Sequence, residues 1–274
     1  MKRISKIILL ALTVMTLTVG CKKLPEFTTN NGGGNTPSTT GGFSVSDSKQ
    51  VYFAPGNLQY QSSTNHWRFA ENPWDIMGES NTGIAVGYDG WIDLFGWGTG
   101  KEPTNSSQNN DDYSHYTDWG DNTIINGENH DWRTLSLSEW HYLINTRNTT
   151  SGIRFAKATM NDVCGVIFVP DNWSASYYDL NRANDPNVNF SINDIDRKAW
   201  VEIFEPYGAI FMPVTGCRMG VQYFDQGGVY WSSTSADDAQ AYFFAFGDDS
   251  LGAEEKYISE RFYGYAVRLA YEIE

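Results

Sequence analysis

Between Asp185 and Asp196, oxygen-bearing side chains recur at intervals that suit a calcium loop. Asp185, Asn187, Asn189, Ser191, Asn193 and Asp196 fall at positions 1, 3, 5, 7, 9 and 12 of such a loop. Position 6 is Phe190, where the turn needs a glycine, and position 12 is an Asp rather than the longer bidentate Glu. The competing reading is a polar loop that caps the helix after it. Asp111, Asp112, Asp118 and Asp121 make a second acidic run, read as a solvated face. The expectation is that no metal or other cofactor is used.

Nucleophilic and acid–base chemistry find little support. The histidines, His66, His115, His130 and His141, lie in no short metal-ligand spacing, and His141 beside Trp140 reads as structural. No nucleophile elbow and no phosphate-cradling glycine loop occurs. With 33 acidic residues, carboxylate pairs for glycoside hydrolysis are available, but nothing singles one out. The residues best suited to contact a ligand lie in C-terminal loops: Ser235, Asp237, Asp238, Gln240, Tyr257, Phe262 and Tyr263. Tyr and Phe offer wide contact area at low entropic cost, and Ser, Asp and Gln add adaptable polar contacts.

The N-terminus implies export. Lys2, Arg3 and Lys6 precede an apolar run over residues 7–19, too short for a comfortable membrane span. The run ends in Leu17-Thr-Val-Gly-Cys21, which resembles a lipoprotein lipobox. That resemblance implies that residues 1–20 are removed and that Cys21 carries the acyl chains. More than one chain gives a stable anchor in the bilayer. Residues 22–42, rich in Gly, Thr and Asn, have almost nothing apolar to bury and read as a flexible tether. Fully extended, it would reach roughly 70 Å. The expected location is the outer membrane or cell surface, with a periplasm-facing orientation left open.

Residues 43–274 contain no second low-complexity linker and are expected to form a single domain. A formal net charge of −14 argues against a nucleic-acid partner, which requires a basic face. Beyond Cys21 the cysteines are Cys164 and Cys217, each beside an expected strand. In an oxidising compartment they either form a disulfide or remain buried thiols.

Several elements would position the loops. Residues 51–60 read as a strand broken by Pro55-Gly56, with residues 67–70 as a hairpin partner. Residues 72–132 are loop-rich with recurrent Trp and Gly, and internal ring packing is expected to order them. A first helix starts at a Ser136-x-x-Glu139 capping box and ends near Arg147. A second is expected over residues 194–204. Strands are expected over 154–157, 166–169, 209–214, 229–232, 241–246 and 265–269. Along the aromatic strands, period two should bury one face, and one parity of residues 242–246 should point outward.

The segments Val51-Tyr-Phe-Ala-Pro-Gly-Asn-Leu58, Asp93-Leu-Phe-Gly-Trp-Gly98, Trp132-Arg-Thr-Leu135 and Gly228-Val-Tyr-Trp-Ser-Ser-Thr234 resemble exported lipoproteins of Bacteroidetes. The C-terminal part is similar to the Fibrobacter major paralogous domain, within the C-type-lectin-like group that includes formylglycine-generating enzymes. The resemblance implies an α+β, C-type-lectin-like fold: two short helices, a twisted antiparallel sheet and long Trp/Gly-rich loops. The family's calcium-lectin motifs are not matched; Glu102-Pro-Thr104 is only a partial echo. The implied function is a lipid-anchored, non-enzymatic binding protein for a protein or glycan ligand. Alternatives are a retroelement-diversified receptor, a glycan-processing or sulfatase-modifying enzyme, and an accessory subunit of a surface fibre.

Overall fold

The structure is a computed structural model that describes residues 41–273. Cys21, its expected lipidation and the expected tether up to residue 40 lie outside the described residues. Strand outweighs helix and the helices are short, as an α+β chain requires.

The two ends of the described chain are zipped together. Strand Leu269–Glu272 pairs antiparallel with Gln50–Phe53 on one side and Arg133–Thr134 on the other, and Phe43–Ser44 extends the sheet. The break at Pro55-Gly56 sends the next strand elsewhere. Leu58–Gln61 pairs with His66–Phe69, the expected hairpin, and with Trp91–Ile92. A third sheet runs Ile210–Pro213, Val163–Phe168, Phe155–Met160 and Asp194–Ile195. A fourth pairs Gly228–Ser235 with Gln240–Gly247, which also pairs with Ser250–Gly252 and Ile258–Glu260. The fifth joins Gln222–Phe224, Cys217–Met219 and Tyr263–Gly264.

The first helix, Leu137–His141, begins at a complete capping box. Ser136 accepts from the Glu139 backbone, and the Glu139 side chain accepts from the Ser136 backbone. The coil continues as a wider turn, Tyr142–Thr146, which buries Leu143 and Ile144. The second helix starts later than the pattern predicts. Asp194–Ile195 pairs in parallel with Thr159–Met160, so Asp196 becomes the N-cap of Arg197–Ala199. Backbone pairing with a neighbouring strand there overrides an amphipathic pattern.

The expected strand over 265–269 is also divided. Tyr265 bridges to Phe95 and Ala266 to Tyr230, while Leu269 starts the terminal strand. Between them Arg268 turns fully inward. Its Nε donates to Asn57 Oδ1 at 3.2 Å, and its terminal nitrogens donate to the carbonyls of Ala54 (2.9 Å) and Phe211 (2.7 Å). Arg147, Lys157 and Arg218 are likewise buried cations satisfied largely by backbone carbonyls. A buried charge is tolerable only with such hydrogen bonds.

Three apolar clusters fill the interior. The sheet of Gly228–Ser235 and Gln240–Gly247 separates two of them, with Tyr230, Phe244 and Phe246 on one side and Trp231 on the other. The expectation that one parity points outward is therefore corrected. Phe243 packs on Trp231, Tyr257 and Tyr265, so the loop-rich region covers that face. The aromatic strand motif is an interior wall.

The motif segments meet in space. Trp231 donates its indole N–H to Phe95 O at 2.7 Å, and Trp97 donates to Ser232 O at 2.9 Å. Leu137 N donates to Thr234 Oγ1, and Ser233 N to Leu135 O. Residues 228–234 are thus bonded both to 93–98 and to 132–137, and the fully buried Trp119 packs beside Phe95.

Candidate functional site

The loops after the aromatic strands do come together, and a buried arginine organises them. Arg261 Nη2 donates to Ser235 Oγ at 2.6 Å and to Asp237 O, and Nη1 reaches Tyr113 O at 3.3 Å. Its guanidinium lies over the Trp97 ring, 4.4 Å from the centroid. Burial lowers its pKa, with Asp237 and Asp238 pulling the other way. The turn itself is an Asx type: Asp237 Oδ1 accepts from the amides of Ala239 and Gln240 at 2.8 and 2.7 Å. Gln240 and Asn110 both donate to the Glu260 carboxylate. Residues 105–113, 235–240 and 260–263 therefore form one connected face.

The candidate binding residues divide on this geometry. Ser235, Asp237 and Asp238 are exposed, and Gln240 is half-buried. Phe262 and Tyr263 are half-buried and stacked at 5.0 Å, with Tyr263 paired to Met219. Beyond Met219 a hairpin tip carries Val221, which is exposed. Tyr257 is a correction: it is buried, packs against Phe243 at 5.8 Å and belongs to the interior.

The calcium spacing does not close into a cage. Asp185 accepts from Asn187 N at 2.9 Å and from Arg182. Asn189 accepts from Ser191 Oγ, and Asp196 caps the second helix through Ala199 N at 2.7 Å. The capping reading describes these contacts. A cation does sit beside the loop, but it is Lys157, whose Nζ donates to the carbonyls of Pro186, Gly247 and Asp248 at 2.7, 2.6 and 3.1 Å. Burial pulls its pKa down to about 8, with Asp248, Asp249 and Asp185 acting against that. Among the described residues no group of three or more His, Cys, Asp and Glu is placed to hold a metal.

Of the two outcomes left open, a bridge between Cys164 and Cys217 is not formed. Cys217 is a free, buried thiol, and burial pushes its pKa up to about 12. Spacing along the chain could not establish whether their strands were neighbours, and they belong to different sheets. His141 is exposed and contacts Asn145 at 3.2 Å, while His130 stacks on Tyr271 at 3.8 Å. Asp118 is no solvated acid. Its carboxylate accepts from Tyr116 Oη, Gly120 N, Thr134 N and Thr134 Oγ1.

Sequence reasoning missed an open groove of about 690 Å³ beside the first helix. Its floor is an ion array. Arg133 grips Glu139 with two bonds of 2.9 and 2.7 Å and reaches Glu272 at 2.9 Å, where Lys49 also donates at 2.9 Å. Burial alone would raise the Glu139 pKa, but Arg133 and Ser136 outweigh it and hold the carboxyl below its usual range. Lys49 and Arg133 keep Glu272 low as well. The capping box was the one visible sign of this place, since its Glu139 does double duty.

Neither a protein-family model, nor a curated protein, nor a solved structure matches the chain.

Proposed function

We propose that this chain is an exported, lipid-anchored binding protein of C-type-lectin-like fold that presents the 105–113, 235–240 and 260–263 face to a protein or glycan ligand. The observation that carries this reading is Arg261. One buried guanidinium and the Trp97 ring fix residues far apart in sequence while leaving Asp237, Asp238, Phe262 and Tyr263 at or near the surface. Such a preformed surface loses little entropy on binding. The resemblance of the Asp93–Gly98 and Gly228–Thr234 segments to exported lipoproteins supports the same reading.

The enzyme alternative draws no support from the groove. A general acid needs a pKa near the working pH, and Glu139 and Glu272 are both held low. A retroelement-diversified receptor would use the same loop face; a near-identical template repeat and a reverse transcriptase beside the gene would favour it. The test of the main reading is to probe the whole chain on glycan and host-protein arrays. Phe262→Ala with Tyr263→Ala should abolish a hit. Binding that persists unchanged would remove the loop face from consideration.

A further inference from the structure

We infer that the groove beside the first helix is a second binding site, separate from the loop face, for a neutral carbohydrate. Its volume of about 690 Å³ falls within the range of small-ligand sites. Six of its twelve lining residues carry hydroxyls: Ser46, Thr134, Ser136, Ser138, Tyr142 and Ser233. Val45 is the one aliphatic residue of the lining, and the carbon stems of the longer side chains supply the rest of its apolar surface. An apolar peptide or acyl chain would strip water from those hydroxyls and from the charged groups without replacing their hydrogen bonds.

Charge excludes other classes. Three carboxylates (Asp118, Glu139, Glu272) against two cations (Lys49, Arg133) leave one net negative charge. A phosphate or sulfate would meet Glu139 and Glu272 before it could displace them from Arg133. A metal ion would have to pull those carboxylates away from Arg133 and Lys49.

A sugar needs neither exchange, because each of its hydroxyls both donates and accepts. The wall offers matching groups. Glu272 uses only Oε1 for its two ion pairs, which leaves Oε2 to accept. Lys49 makes a single bond to Glu272 and is half exposed, so it has further protons to donate. Ser138 and Tyr142 stand on adjoining turns of the same helical segment and add hydroxyls from one side.

The site adjoins the loop face without sharing its residues. Ser233 lies on the groove, whereas Ser235 two residues later is bonded to Arg261. Substitutions therefore separate the two. The whole chain, held in a detergent without a sugar headgroup, is applied to an array of neutral hexose and N-acetylhexosamine oligosaccharides, and hits are measured by calorimetry. Ser138 is exposed, so Ser138→Trp fills the groove without disturbing the interior. This variant should weaken binding at least tenfold with an unchanged melting temperature, and Lys49→Ala should weaken it several-fold. Phe262→Ala with Tyr263→Ala should leave it unchanged. The inference fails if no neutral oligosaccharide binds, if only sulfated or sialylated glycans bind, or if Ser138→Trp has no effect. Loss of binding in the Phe262/Tyr263 variant instead would move the sugar to the loop face.

Discussion

The guanidinium of Arg261 lies 4.4 Å from the centroid of the Trp97 ring. The two residues are far apart in sequence, and their contact fixes the surface that the last strands display. Trp97 is in turn bonded through its indole N–H to Ser232 O, so the same ring joins the loop face to the interior wall.

Arg261→Met should therefore loosen the face as well as weaken the fold. It removes the cation over Trp97 and leaves the carbonyls of Tyr113 and Asp237 without their donor. The expected cost is about 2–4 kcal/mol. Urea unfolding measures the loss, and hydrogen exchange should rise together in residues 108–113 and 235–240. Exchange unchanged in the 108–113 segment would show that Arg261 does not couple the loops.

Phe262 and Tyr257 were equal candidates in the sequence and should behave differently on truncation. Tyr257→Ala empties a buried position against Phe243 and should cost about 3 kcal/mol. Phe262→Ala, at a half-buried position, should cost under about 1 kcal/mol. Equal costs by denaturant unfolding would contradict the division between interior and display.

Asp93 gives the fold a pH dependence of unusual sign. It is buried, and desolvation raises its pKa to about 6, despite hydrogen bonds from Asn81 and Met77. A carboxyl with a raised folded-state pKa contributes stability that is fully present below about pH 4 and is lost as the pH climbs through about 6. The loss amounts to roughly 3 kcal/mol. Asp93→Asn cannot ionise. Plotted against pH from 4 to 7, the stability of the natural chain should fall relative to that of the variant. Parallel curves would exclude the effect.

Lys157→Met should test the buried ammonium between residues 186 and 247–248. The variant keeps the stem's bulk but removes the donor from three carbonyl oxygens. The expected destabilisation is about 3 kcal/mol. Limited proteolysis should open first near residues 185–190 or 247–249. A variant as stable as the natural chain, uncut at both places, would mean that the ammonium holds neither loop.

Local rules determined a good part of this protein. The Ser136–Glu139 capping box, the break at Pro55-Gly56, the hairpin that follows it and the burial of Tyr230, Phe244 and Phe246 on one face all follow from neighbours within a few residues or from simple alternation. Composition set the acidic balance, and the strand-and-helix pattern set the α+β class. The tertiary structure decided what depends on distant partners. Asp194–Ile195 became strand because Thr159–Met160 was there to pair with it. Tyr257 became interior and Phe243 partly buried because the long loops cover a face that alternation alone would leave open. Cys217 stayed a thiol because its strand joined a different sheet from that of Cys164. The groove exists because Lys49, the Arg133–Glu139 stretch and Glu272 are far apart in the chain and their ion pairs form only once it is folded. Spacing along a sequence carries information over a few residues, whereas burial and charge pairing are properties of the assembled surface.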